Sequence, residues 1–318
     1  MRSLVLLALV AVAAPACNTI PTGPYGVVES WPKLPAGFEM GEASGVDLDS
    51  QGDVWIFHRG EQMPIMEFDA QTGDLKSSFG DGQIVWAHGL EVDQDDNVWV
   101  TDQRAHTVLK YSPTGELLMT VGVSGEAGLD DTHFDQPTDV VIAPNGDFFV
   151  SDGYGNSRVV KFNKDGEFLL TWGEPGSEPG QFNLPHGITL DRDGRVYVAD
   201  RTNLRVQVFD SDGNFIEQWN NTDDWARPWA LEIAPDGNSV FVMDGGHMQP
   251  PDLAHVIQCD LDGNVLDSFS SFGTEPGQLS WGHDVSVGED WAIYTVEVRF
   301  GLRTQKFVRG AGATMDGN

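Results

Sequence analysis

Histidine recurs in this chain at a fixed place in a repeating pattern. Trp86-Ala87-His88-Gly89-Leu90-Glu91-Val92 sets a small residue, a histidine and Gly ahead of an apolar strand. The order returns in Pro185-His186-Gly187-Ile188 and in Gly282-His283-Asp284-Val285. The intervals between the histidines are 98 and 97 residues. Regularity of this kind demands an architecture with equivalent places, so internal repeats come before any other reading.

Three more segments align with these: Ser44-Gly45-Val46-Asp47-Leu48, Thr138-Asp139-Val140-Val141-Ile142 and Trp229-Ala230-Leu231-Glu232-Ile233. The anchors Ser44, His88, Thr138, His186, Trp229 and His283 are then 44, 50, 48, 43 and 54 residues apart, the length of a four-stranded propeller blade. After each anchor strand comes an Asp/Gly/Asn turn and a second strand, such as Val98-Trp99-Val100 or Val196-Tyr197-Val198, usually closed by Asp (Asp102, Asp152, Asp200, Asp244). A third strand, a glycine hairpin and a fourth strand follow, and the 37 Gly and 17 Pro suit this punctuation by turns. The sixth unit runs out after its third strand, Thr304 to Val308, while Tyr25 to Trp31 resembles an unused outer strand. We therefore expect an all-β, six-bladed propeller over residues 41–310, its ring closed by a strand from the segment 18–40 completing the last blade, because an unfinished blade would leave an exposed edge.

The formal charge of -31, from 49 Asp and Glu against 18 Lys and Arg, argues against nucleic acid, whose binding needs phosphate neutralisation. It also argues against an anionic lipid surface. Arg2 followed by the apolar run Leu4 to Ala14 reads as an export signal over residues 1–17, and the run is too short to span a bilayer. Ala14-Pro15-Ala16-Cys17 resembles a bacterial lipobox, so the expectation is an envelope lipoprotein, periplasmic or at the cell surface, or a secreted protein, held to the membrane only through lipid on Cys17. Cys259 is expected to be a buried small hydrophobe, residues 311–318 a flexible tail, and the protein a monomer.

In an antiparallel blade the start of the first strand and the end of the second share one end of the sheet. The anchors and the loops after the second strands therefore face the same way, and histidines on alternate blades form a threefold ring. Three converging imidazoles suit a catalytic zinc with an open position. The same face receives Arg59, Tyr154 and Arg201 from loops, two guanidinium forks and a phenol that suit a small-molecule or peptide substrate with a carboxylate.

Val150-Ser151-Asp152 through Asn156-Ser157-Arg158 and Val198-Ala199-Asp200 through Asn203-Leu204-Arg205 resemble NHL repeats, in which Asp152, Asn156, Arg158, Asn203 and Arg205 would tie turns. Together with His58-Arg59-Gly60, His88-Gly89-Leu90, Gln136-Pro137-Thr138, Asp152-Gly153-Tyr154, Pro185-His186, Asp200-Arg201 and His283-Asp284, in order from about Gly41 to Phe307, the chain resembles the peptidyl-α-hydroxyglycine α-amidating lyases. The resemblance implies catalytic zinc on His88, His186 and His283. It implies structural calcium on the carbonyls of Val46 and Leu90 and the carboxylate of Asp284. It makes Tyr154, Arg59 and Arg201 the catalytic residues of a lyase that splits peptidyl- or acyl-α-hydroxyglycine into an amide and glyoxylate. The chain departs from the pattern in lacking two disulfides, with Asp135 and Gly155 at one pair of positions and Tyr197 and Val208 at the other, and in placing Trp281 where methionine is usual. The competing reading is a non-catalytic NHL propeller that binds protein or envelope ligands through its channel face.

Overall fold

The computed structural model describes residues 24–220, 227–246, 254–299 and 301–310; the expected signal peptide with Cys17 and the expected tail 311–318 lie outside them. Among the described residues, 24 strands form six four-stranded antiparallel sheets and the only helix is a single 3-10 turn, Arg201–Asn203. The six inner strands are Ala43–Leu48, Ala87–Val92, Asp139–Ile142, Pro185–Leu190, Pro228–Ile233 and Gly282–Val287. Each anchor lies in or immediately before one of them. The architecture is a six-bladed propeller.

Burial is greatest in the second strands and falls toward the outer ones, while the innermost strands border the channel. Second strands such as Val54–His58, Val98–Asp102 and Val196–Asp200 are buried throughout, whereas the outer strand Leu117–Val121 exposes Leu117 and Leu118. The apolar residues form six clusters, each shared by two neighbouring blades. Tyr197, Val206 and Val208 of the fourth blade pack on Leu231, Val240 and Ile257 of the fifth, and Val46 and Ile56 of the first pack on Tyr294 and Val296 of the sixth. No blade keeps a core to itself, so each is stable only between its neighbours.

Connections between blades are held by the residue that ends each second strand. Asp102 accepts the amides of Val85 and Trp86, Asp152 that of Asp135, Asp200 that of Asn183 and Asp244 that of Arg227. Arg158 and Arg205 extend from these aspartates to the carbonyls of the incoming connections, Arg158 to Leu129, Asp130 and His133, Arg205 to Ser177, Glu178 and Gln181. Buried charge is thereby fully hydrogen-bonded, the condition for tolerating it.

The sixth sheet contains strands from both ends of the chain. Tyr25–Val27 runs antiparallel to Thr304–Arg309, with Tyr25 opposite Arg309 and Val27 opposite Phe307. Tyr25 also meets Phe269 of the fifth blade at 4.3 Å between centroids. A chain beginning at Val28 should therefore lose roughly 2–4 kcal/mol through the lost burial of Tyr25 and Val27. Comparison of thermal midpoints checks this; an unchanged midpoint would show that the strand contributes nothing to closure.

Candidate metal centre and its mouth

At five of the six anchors the pairing with the second strand slips, at Ser44, His88-Gly89, His186-Gly187, Trp229 and His283. Such a bulge re-aims a side chain out of the pleat, and here it sends the anchor side chain toward the axis. The glycines after two histidines are required by proximity: a Cβ on Gly89 would fall 2.8 Å from the Thr138 carbonyl oxygen, and one on Gly187 2.7 Å from that of Trp229.

His88, His186 and His283 meet in a near-equilateral triangle, with ring centroids 4.7, 4.6 and 5.0 Å apart. They are 1%, 2% and 3% exposed, and one ring nitrogen of each lies within 4.8 Å of the others. The three anchors between them, which the sequence reading left without a role, orient the rings. His88 Nδ1 donates to the carbonyl of Thr138 at 2.6 Å, His186 Nδ1 to that of Trp229 at 2.7 Å and His283 Nδ1 to that of Ser44 at 2.7 Å. A carbonyl only accepts, so Nδ1 carries the proton and Nε2 presents its lone pair. Burial holds all three well below the ordinary imidazole range, assisted by Arg59 at His88, Arg201 at His186 and His88 at His283. Three neutral, carbonyl-oriented imidazoles, one with a buried Nε2 lacking any partner, make a donor set that fits a zinc-like cation.

The structure brings Tyr154 and both arginines to this triangle. Gly153 allows it: a Cβ there would lie 1.9 Å from the Pro185 carbonyl oxygen. Tyr154 Oη is 3.3 Å from His88 Nε2 and 3.5 Å from His186 Nε2, and Arg201 Nη1 donates to it at 3.3 Å. Arg201 lies over Trp229 at 4.3 Å. Arg59 donates through Nε to the carbonyl of Ala87 and is ion-paired with Glu42, a neighbour the sequence reading did not include. Any anion that reached Arg59 would share it with Glu42.

Below the histidines the channel turns acidic. Asp47, Glu91, Asp139, Glu232 and Asp284 keep some surface toward the channel but are surrounded by protein. Burial and then mutual repulsion push Glu91, Glu232 and Asp284 well above the carboxylate range, and burial raises Asp47 to about 6 and Asp139 to about 7. Asp284 accepts the amide of Val46 at 3.0 Å, and Gly45 abuts Leu90, so the residues implied for calcium come from blades in contact. An oxygen-rich, acidic channel fits a hard divalent cation.

Where the resemblance places disulfide positions, Tyr197 faces Val208 in register and Gly155 donates its amide to the Asp135 carbonyl at 2.9 Å. Cys259 is free and buried. No helix among the described residues is long and apolar enough to cross a membrane.

Residues 134–162 and 182–209 match the NHL repeat. The chain is 33% identical over 301 residues to peptidyl-glycine alpha-amidating monooxygenase B of Xenopus laevis, covering 83% of this chain and 33% of that protein. It therefore spans about a third of the length of that relative. It is 30% identical over 326 residues to peptidyl-alpha-hydroxyglycine alpha-amidating lyase 1 of Drosophila melanogaster, covering 89% of this chain and 60% of that protein. Among solved structures it resembles a streptogramin B lyase in fold, with a TM-score of 0.64 at 14% identity over 90% of this chain and 98% of the other.

His58, immediately before Arg59, ends the first blade's second strand in place of the aspartate used by blades two to five. Its Nδ1 accepts the amides of Gly60 at 2.9 Å and Gly41 at 3.3 Å, and Nε2 donates to the Met63 carbonyl at 2.8 Å. Burial lowers it to about 4, below an unfolded value of 6.5. The unfolded chain then binds the extra proton first, so stability falls as pH drops from 6.5 toward 4, by roughly 3 kcal/mol in full. Melting curves of the wild type and His58→Gln between pH 7 and 4.5 should show the larger drop in the wild type. Parallel drops would remove His58 as the cause.

Proposed function

The chain belongs to the amidating-lyase family of NHL propellers, and we propose that it cleaves the carbon–nitrogen bond of a peptidyl- or acyl-α-hydroxyglycine, giving an amide and glyoxylate. The observation that carries this reading is one arrangement. Three neutral imidazoles orient their Nε2 atoms to one point, with the Tyr154 phenol within hydrogen-bond reach of two of them and Arg201 on the phenol oxygen.

His88, His186 and His283 would hold zinc, which when bound supplies Lewis acidity that eases proton loss from the substrate hydroxyl. Tyr154 is the base that takes that proton; the hydroxyl oxygen becomes the carbonyl of glyoxylate as the carbon–nitrogen pair leaves with nitrogen, and the proton passes on to the departing amide. Arg201 holds the phenol oxygen in place by its donated hydrogen bond. Arg59, fixed by Ala87 and Glu42, offers the cation for the substrate carboxylate. The carbonyls of Val46 and Leu90 with Asp284 would hold a structural calcium that ties blades one, two and six at the channel.

Glyoxylate release from α-hydroxyhippurate should disappear on chelation and return with zinc. No release from folded, zinc-loaded protein would favour the non-catalytic propeller that binds protein or envelope ligands. Tyr154→Phe should lower kcat by about a hundredfold or more while zinc content, read by metal analysis, stays at wild-type level. Undiminished turnover would remove Tyr154 from the chemistry.

A further inference from the structure

Positive charge is scarce in this chain, 18 Lys and Arg against 49 Asp and Glu, yet it gathers at the histidine end. Arg59 and Arg104 share one indole, their guanidinium carbons 4.9 and 3.5 Å from the centroid of Trp86. Across the mouth Arg201 lies over Trp229, and Arg227 is near enough for Arg201 to oppose its charge, second to the effect of burial. Arg59 and Arg201 belong to the first and fourth blades, Arg104 and Arg227 to the second and fifth. Each inner arginine thus has a second one beside it, on opposite sides of the ring.

Arg299, after the second strand of the sixth blade, lies over Trp281 at 4.6 Å and among the described residues shares that ring with no second arginine, while Arg158, Arg205 and Arg303 are consumed structurally by Asp152, Asp200 and Glu297. Arg104 differs. It is exposed, and among the described residues its guanidinium has neither a carboxylate nor a hydrogen-bond acceptor. Two like charges fixed against one rigid ring repel each other; burial is the main effect on Arg59, Glu42 offsets it, and Arg104 adds a smaller repulsion, so Arg104 is the cation of the pair left without a counter-charge. An anion beside them removes that cost and gains a planar fork. Stacking on Trp86 also orders the Arg104 side chain in advance, which lowers the entropy lost on binding.

We propose that Arg104, seated on Trp86, anchors a second anion subsite beside Arg59, and that the preferred substrate is an acyl-α-hydroxyglycine whose acyl arm carries its own carboxylate. This rests on the lyase reading above, in which the α-carboxylate takes Arg59; the acyl arm's carboxylate then meets Arg104 across the same indole.

The test compares N-glutaryl-α-hydroxyglycine with its neutral ω-amide, using zinc-loaded wild type, Arg104→Ala and Arg227→Ala, with thermal midpoints confirming that each variant is folded. The wild type should prefer the diacid by roughly three- to tenfold in kcat/KM, expressed in KM and weakened by salt, as for a partly exposed charge pair. Arg104→Ala should abolish the preference. Equal use of both substrates by the wild type, or a preference that Arg104→Ala keeps and Arg227→Ala loses, overturns the assignment. If neither compound yields glyoxylate, the lyase reading falls and the subsite is judged separately by calorimetry with N-glutarylglycine and its ω-amide. Tighter binding of the diacid that vanishes in Arg104→Ala sustains the subsite; equal binding ends it.

Discussion

Each inner strand of a propeller turns one edge of amides and carbonyls toward the axis, where no further strand can cover it. In this protein side chains from neighbouring blades satisfy that edge. The amides of Val46, Val92 and Ile188 go to Asp284, Asp47 and Asp139. The carbonyls of Ser44, Thr138 and Trp229 go to His283, His88 and His186. Every one of these bonds joins one blade to the next, so the polar lining of the channel and the closure of the ring are one network. The candidate metal centre is the upper tier of that network, because an imidazole that donates one nitrogen to an edge carbonyl presents the other nitrogen to the axis.

The same network sorts charge along the axis. Five carboxylates lie below the histidines and arginines lie above them, within a chain whose total is strongly negative. A deep cation and a shallow anion are the ligands such a gradient favours. The arginines are kept above by tryptophans, Trp86, Trp229 and Trp281, which offer flat apolar support where acidic partners would cancel the charge. Glu42 on Arg59 is the exception, and it fixes that arginine close to the triangle.

Much of this was legible in the chain itself because propeller blades are consecutive in sequence and every strand pair within a blade is local. The anchors at 44, 88, 138, 186, 229 and 283 fall at the six inner strands, while the aspartates closing the second strands, expected only to tie turns, also hold the incoming connections. His88, His186 and His283 could be placed on one ring, and Tyr154 and Arg201 on its face, because period and strand polarity together fix which end of a sheet a residue occupies. The role of Ser44, Thr138 and Trp229 escaped that reasoning although their positions were known, since they act through backbone carbonyls, which every residue has.

The sequence by itself determined the number of blades, the alternation of histidine and non-histidine anchors and the end of the ring at which the histidines, Tyr154 and Arg201 meet, all properties of spacing. Only the tertiary structure decided which nitrogen of each imidazole points inward, that Glu42 engages Arg59, and that Arg59 and Arg104 share Trp86. The ring orientations depend on bulges that turn side chains out of the pleat and on contacts between blades 43 to 239 residues apart in the chain, and the arginine contacts on which way each loop side chain turns. Composition and period carry no information about side-chain direction, and direction is what converts three histidines, a phenol and a set of arginines into a site.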